Sequence, residues 1–300
     1  MNYLITIVGP TAIGKTALSI KLAQHFNAEI ISCDSRQFFK EMSIGTAVPE
    51  PEELTAATHH FIQHKSIHQE YSVGHFEREA LTKLDELFTH HNTVIMVGGS
   101  GLYADAVING LDYFPTIDAS VREGLNKKLD TEGLESLQNQ LKELDVETYH
   151  QIAIENPHRV IRALEVCIGS GQTYSSFKNK PKTPRNFTTI KIGLTADREV
   201  MYDRINRRVD LMLDKGLLKE AKELYPLKDL NALQTVGYRE LFSFFNNTIT
   251  FDFAIQEIKK NSRRFAKRQM TWFKKDAETL WFDYLSPTDS ILKEIHSKLE

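Results

Sequence analysis

The eight residues Gly9-Pro10-Thr11-Ala12-Ile13-Gly14-Lys15-Thr16 constrain this chain more than any other stretch. They fit the pattern G-x-x-x-x-G-K-[ST]. An almost continuously apolar run, Tyr3 to Val8, precedes them, and apolar residues at helical spacing (Ala17, Leu18, Leu22, Phe26) follow. Strand, glycine loop and helix in that order predict a phosphate-binding loop. Glycines let the backbone curl so that successive N–H groups point inward at phosphate oxygens. The helix N-terminus adds its dipole, Lys15 a point charge, and the Thr16 hydroxyl a ligand for Mg²⁺.

The rest of the chain alternates strand and helix. Ala28 to Cys33 reads as a second buried strand, Val73 to His90 as an amphipathic helix, and Thr93 to Val97 as a third strand. Such alternation predicts an α/β fold, a P-loop NTPase-like core with a parallel sheet covered on both faces. From about Asp112 to Arg185 only helical patterns appear (Val121 to Leu129, Leu134 to Leu144, His158 to Ile168), closing in a polar, proline-containing connector. A strand resumes at Thr188 to Leu194, and Trp281-Phe282 suggests a last short one. The expected organisation is a core of residues 1–111 and 186–300 with a helical insertion domain at 112–185.

Apolar residues make up 41% of the chain and charged residues 26%, the balance of a globular enzyme. No apolar run approaches the roughly 20 residues of a membrane-spanning helix, so no membrane partner is expected. The chain enters its first strand at once without a basic leader. Its two cysteines, Cys33 and Cys167, are too few for a disulfide framework or a cysteine-built zinc site. A cytoplasmic location is expected. Charge is unevenly spread. Lys259 to Lys275 holds eight Lys/Arg and no acid, so a chain of net charge −3 carries +8 there and −11 elsewhere. That segment predicts a helix facing a polyanion.

An ordinary P-loop NTPase ends a later strand with a metal-holding Asp. Here Val94-Ile95-Met96-Val97 runs instead into Gly98-Gly99-Ser100-Gly101. The carboxylate stands at the end of the second strand, as Asp34. In a parallel sheet both Asp34 and the loop after the first strand lie at the carboxyl edge, where ligands bind. An Asp beside a polyphosphate serves to contact metal or to take a proton from a nucleophile. Otherwise it caps a helix beginning at Ser35. The adjacent histidines His59-His60 and His90-His91 point to different sides of an element, so metal ligation is not expected of them. Cys33, in an apolar strand, reads as inert packing.

Read together, Gly9 to Thr16, Ile31-Ser32-Cys33-Asp34-Ser35-Arg36-Gln37, Ile44-Gly45-Thr46-Ala47 and His59-His60-Phe61-Ile62 resemble the tRNA dimethylallyltransferases. So do Tyr71-Ser72-Val73, Gly98 to Tyr103, Arg159 to Glu165, Val236-Gly237-Tyr238-Arg239 and Ala266-Lys267-Arg268-Gln269-Met270-Thr271-Trp272. These segments run collinearly over nearly the whole chain. The resemblance implies transfer of a dimethylallyl group from dimethylallyl diphosphate to N6 of the adenosine just 3′ of the anticodon, with release of diphosphate. The loop Gly9, Pro10, Thr11, Ala12, Ile13, Gly14, Lys15, Thr16 would then hold the prenyl diphosphate with Mg²⁺ on Thr16, and Arg208 would contact diphosphate. Asp34 becomes the general base, with Ser100 and Lys15 assisting.

On the acceptor side the resemblance places Asp34, Ser35, Arg36, Gln37, Ser100, Arg122, Arg159, Arg162, Gly237 and Arg239 against the tRNA anticodon stem–loop. Arg264, Lys267 and Arg268 would lie on backbone phosphates, and the helical insertion would clasp the stem. Phe265, Trp272 and Phe273 match the apolar face of the basic helix and are expected in the core. A monomer is expected. The chain departs from the family pattern at Gln63 (commonly Asp), His158 (commonly Gln) and Val48 (commonly Lys), and Ser100 replaces the common Thr while keeping the hydroxyl. No counterpart of the eukaryotic members' C-terminal zinc finger is expected, and the resemblance is to the bacterial type.

Three other readings are distinguishable. A P-loop kinase would use Asp34 on an acceptor hydroxyl and consume ATP, but it leaves the basic helix unexplained. An adenylate isopentenyltransferase would use the same donor on a free nucleotide and lack both the insertion and the Lys/Arg helix. A non-enzymatic RNA-binding protein would have no need of an intact P-loop with Asp34.

Overall fold

The computed structural model describes residues 1–299. Six parallel strands form one sheet in the order β3-β2-β4-β1-β5-β6: β1 Tyr3–Val8, β2 Ile30–Ser32, β3 His59–His60, β4 Thr93–Val97, β5 Thr188–Thr195 and β6 Leu280–Asp283. The central strands are apolar on both faces because helices cover both faces. Leu4, Ile5 and Ile7 of β1 and Val94, Ile95 and Met96 of β4 are wholly buried. Each such side chain contributes roughly 1.5–3 kcal/mol through burial. Register pairs Ile5 with Ile95 on one side and with Ile190 on the other. The α/β class expected from the alternation is the one observed. The two-residue β3 was not legible, being too short to show alternation.

Strand order positions the chemistry. β4 lies between β2 and β1, so the segments after β2, β4 and β1 emerge side by side at one edge. These are the Asp34 segment, Gly98-Gly99-Ser100 and the phosphate loop. Helix α1 (Lys15–Phe26) follows the loop directly, α2 (Pro51–Ala56) precedes β3, α3 (Val73–Leu87) precedes β4, and α4 (Gly101–Asn109) leaves the glycine segment. Ser72 starts α3 by accepting from the His75 N–H in a reciprocal capping box.

A separate compact unit spans Gly110–Pro184, against the expected 112–185, and contains α5 (Ala119–Leu144), α6 (Val146–Gln151) and α7 (Pro157–Ser170). Gly133, at φ 81°, breaks α5 where the sequence suggested two helices. Leu125, Leu137, Leu141, Val160, Ile161 and Leu164 form its core. Asp145 anchors that unit, accepting from Thr148 N (3.0 Å) and Ser175 N (2.8 Å).

After β5 the core unit continues with α8 (Arg198–Asp214), α9 (Leu217–Leu224), α10 (Tyr238–Phe245), the long α11 (Phe251–Phe273) and, beyond β6, α12 (Thr288–His296). Thr250 caps α11, accepting from Phe253 N. The basic run outlasts this helix, because Lys274 and Lys275 lie past its end. No helix among the described residues is long and apolar enough to cross a membrane.

Candidate active site

The loop between β1 and α1 has the backbone its residues require. Gly9 has φ 142°, and a Cβ there would lie 2.6 Å from the Leu194 carbonyl oxygen of β5, so only glycine permits the approach. Ala12 (φ 64°) and Gly14 (φ 108°) complete the curl. Gly14 offers α1 no side-chain cap, which leaves the amides of the first turn free for an anion. Lys15 Nζ donates to Pro10 O (2.8 Å) beneath the loop. Burial pulls its ammonium down to about 8, with Arg208 adding to the effect and Asp34 opposing it. Arg204, on α8, donates through Nε to Ala12 O (2.9 Å) and braces the loop from outside. One turn further, Arg208 is drawn down by burial and held up by Asp34 and Glu53.

No helix begins at Ser35; residues 35–38 form turns. The capping alternative for Asp34 is therefore removed. Its Oδ1 accepts from Arg36 N (3.1 Å), which fixes the carboxylate within the turn. Ser100 Oγ lies 3.0 Å from Ser35 Oγ and accepts from Ser35 N (3.1 Å), joining the β4 segment to the Asp34 turn. The Arg36 guanidinium donates to Asn231 O and Ala232 O, and Gln37 Nε2 donates to Thr46 O and Ala47 O.

Two adjoining cavities open here. The first, about 340 Å³, is lined by the phosphate loop, Lys15, Thr16, Glu50, Glu53, His59, Arg204 and Arg208. The second, about 490 Å³, is lined by Ser35, Arg36, Ser100, Gly237, Arg239, Arg268 and Trp272, with an apolar side of Ile205, Val209, Met212, Leu217 and Ile258. They share five lining residues: Thr11, Asp34, Arg208, Phe265 and Gln269. Asp34 thus stands where the cavities meet.

Gln269 shows why the two are adjacent. It is buried on α11, its Oε1 accepts from Thr11 N (2.9 Å), and its Nε2 donates to Gly99 O (2.9 Å). One side chain thereby clamps the phosphate loop to the glycine segment after β4. The sequence showed Gln269 only as part of a motif; a polar residue on the buried face of a helix was the available signal for its role. Arg204, Glu50 and Glu53 were likewise not singled out.

The aromatic expectation needs correction. Phe273 is buried, but Phe265 and Trp272 are 39% and 38% exposed and line the cavities, because one face of α11 looks onto them rather than into the core. Trp272 Nε1 donates to Asp105 Oδ2 (2.8 Å). Of the eight cations, Lys259 pairs with Asp210 (2.6 Å), Lys260 with Glu257, and Arg263 donates to Asn206 (2.6 Å). Arg264, Lys267, Arg268, Lys274 and Lys275 are exposed and, among the described residues, pair with no carboxylate.

Arg122, Arg159 and Arg162 belong to the helical unit. Arg162 pairs with Glu165 (3.0 Å), Arg122 reaches the same carboxylate (3.9 Å), and Arg159 is exposed. The histidine pairs are divided among partners: His60 (2.6 Å) and His91 (3.5 Å) both meet Glu29, while His59 Nδ1 bonds Ala57 O. Burial pushes the Cys33 thiol up, consistent with inert packing.

For a metal, the first cavity offers the Thr16 hydroxyl and the carboxylates of Asp34, Glu50 and Glu53. Among the described residues no three His, Cys, Asp or Glu side chains cluster. The cavity's oxygen donors suit Mg²⁺, which binds through one or two protein oxygens and completes its shell with substrate phosphates and water; the nitrogen donor in its lining is His59.

The IPP transferase family model matches residues 37–276. A tRNA dimethylallyltransferase of Flavobacterium psychrophilum is 63% identical, with all of both chains covered. One from Christiangramia forsetii is 60% identical over 99% of each. Among solved structures, the full-length tRNA isopentenylpyrophosphate transferase of Bacillus halodurans aligns over 100% of this chain and 96% of its own, at 37% identity and TM-score 0.73. A eukaryotic dimethylallyltransferase acting on tRNA aligns over 99% of this chain and 78% of its own, at 26% identity and TM-score 0.80.

Proposed function

The chain belongs to the IPP transferase family, and on that premise we propose that it transfers a dimethylallyl group from dimethylallyl diphosphate to tRNA. The acceptor is N6 of the adenosine immediately 3′ of the anticodon, and diphosphate is released. The observation that carries this reading is the meeting of two cavities at Asp34. A cavity built around a P-loop, with Lys15, Arg204 and Arg208 in its lining, receives the diphosphate. A wider cavity, mostly apolar and with Arg36, Arg239 and Arg268 in its lining, receives a base extruded from a single-stranded loop.

In the reaction the N6–C bond forms as the allylic C–O bond breaks. The N6 lone pair is delocalised into the ring, so the amine is a weak nucleophile until its proton leaves. Asp34 takes that proton, a role supported by its place in the lining of both cavities. Ser100, bonded to Ser35, orients the turn that holds Asp34. The leaving diphosphate gains negative charge, which the loop amides, Lys15 and Arg208 stabilise. Lys15, at about 8, is protonated at pH 7, and an arriving diphosphate favours that state further. Bound at Thr16, Mg²⁺ would neutralise charge on the phosphate oxygens. Phe265, common to both cavities, offers apolar surface to the allyl group.

The exposed cations of α11, Arg264, Lys267 and Arg268, follow the tRNA backbone, with Arg122, Arg159 and Arg162 of the helical unit on the same substrate. A monomer working in the cytoplasm is part of this proposal. The test is incubation of purified protein with labelled dimethylallyl diphosphate, Mg²⁺ and unmodified tRNA, without ATP. Prenylated tRNA and diphosphate are expected. Acceptor-dependent ADP release from added ATP would overturn this in favour of a kinase, and efficient prenylation of AMP in favour of a nucleotide prenyltransferase.

A further inference from the structure

Glu220 lies on α9, outside both cavities, yet it makes more hydrogen bonds to a single loop than any residue described so far. Its carboxylate accepts from three consecutive backbone amides, Ser43 N (3.0 Å), Ile44 N (2.8 Å) and Gly45 N (2.9 Å), and from the Tyr238 hydroxyl (2.7 Å). Tyr238 is fully buried, and a Cβ at Gly45 would fall 2.6 Å from its ring, so the loop rests directly on the tyrosine. Ala47 is held at φ 49°, a conformation a non-glycine residue keeps only where its surroundings impose it.

This loop is a wall of both cavities: Gly45 and Thr46 face the second, Ala47, Val48 and Pro49 the first. It is also joined to the base. Gln37 Nε2 donates to Thr46 O (3.3 Å) and Ala47 O (2.8 Å), and Gln37 N donates to Asp34 O (3.1 Å). The contacts run Glu220, loop 43–47, Gln37, Asp34 without a gap. Gln63 adds a bond to Ser43 Oγ (2.7 Å).

We propose that Glu220 is a positioning residue for the transfer reaction: by latching loop 43–47 onto Tyr238 it fixes, through Gln37, the place of Asp34 between the two substrates. The inference rests on the prenyl-transfer reading of the cavities. It also gives the Gly45 and Tyr238 motifs a shared task. Tyr238 lines neither cavity; its neighbours Gly237 and Arg239 line the second. A carboxylate suits the latch because it only accepts, so two oxygens meet three amides and a hydroxyl without a competing donor.

Glu220→Gln replaces one of those oxygens by a donor that faces N–H groups. Displacing a reacting group by about an ångström costs on the order of 10²-fold in rate. The single-turnover rate at saturating donor and tRNA should therefore fall at least about tenfold, while the melting temperature stays within about 2–4 °C of wild type, a shift worth about 1 kcal/mol. Amide exchange should quicken at residues 43–47 and not in β1 or β4. Gln37→Ala cuts the other end of the connection, so the double variant should lose little more than the worse single one. A wild-type rate in Glu220→Gln, a rate loss that merely tracks a drop in melting temperature, or single losses that multiply in the double variant would each overturn the proposal. Wild-type protein assayed beside the variants separates this from failure of the prenyl-transfer reading, which would show as no transfer at all.

Discussion

Lys15 sits in a conflict that can be measured. Its ammonium lies under the phosphate loop with one hydrogen bond, to Pro10 O at 2.8 Å, and burial brings its pKa from 10.5 to about 8. That lowering corresponds to roughly 3 kcal/mol of differential cost of holding the charge in the folded protein. Because the folded value lies below the unfolded one, the folded state binds fewer protons. The penalty is full below about pH 8 and is relieved as the pH climbs from there towards 10.5. Lys15→Met keeps much of the side chain's bulk and removes the charge. It forgoes the charged bond to Pro10, worth about 1.5–3 kcal/mol. The variant should therefore be at least as stable as wild type at pH 7, by up to about 1.5 kcal/mol, and its stability relative to wild type should be about 1 kcal/mol lower at pH 9. Urea unfolding in phosphate-free buffer reads this directly through tryptophan fluorescence, since Trp272 and Trp281 both belong to the core unit. The same variant should bind inorganic diphosphate at least tenfold more weakly by calorimetry. A variant less stable than wild type at pH 7, or one whose advantage does not shrink towards pH 9, would refute the burial argument.

Asp34→Asn should lower the single-turnover rate by roughly 10²–10⁴ with tRNA affinity little changed; a wild-type rate would mean that the carboxylate serves only the turn at Arg36. Replacing Arg264, Lys267 and Arg268 by Gln should reduce the log–log salt slope of tRNA binding by about 2, the loss of three single-strand-like phosphate contacts, and an unchanged slope would put the tRNA elsewhere. Gln269→Ala leaves Thr11 N–H and Gly99 C=O without their buried partner, so stability should fall by about 2–4 kcal/mol in calorimetry. Diphosphate affinity should fall with it, because the phosphate loop loses its clamp.

The local elements were legible wherever a short window contains its own cause. Gly9 to Thr16 specifies a loop because glycines, lysine and threonine at that spacing act within one turn of chain, and α1 begins and ends where the apolar spacing placed it. The β strands other than β3 were readable as apolar runs, and the stretch between β4 and β5 as helical spacing. What the window does not contain is strand order. That β4 lies between β2 and β1 follows from packing of the whole sheet, and only this order sets Ser100 beside Ser35 and Asp34 between two cavities. The same reason hid the clamp and the latch. Gln269 meets Thr11 across 258 positions and Glu220 meets Gly45 across 175, contacts whose partners are backbone groups that every residue carries. Which face of α11 turns inward was likewise settled by its neighbours, so Phe273 went into the core while Phe265 and Trp272 came to line the site. Sequence determined the chemistry each segment could perform; the fold decided which segments meet, because backbone hydrogen bonding and apolar burial at long range leave no signature in composition or spacing.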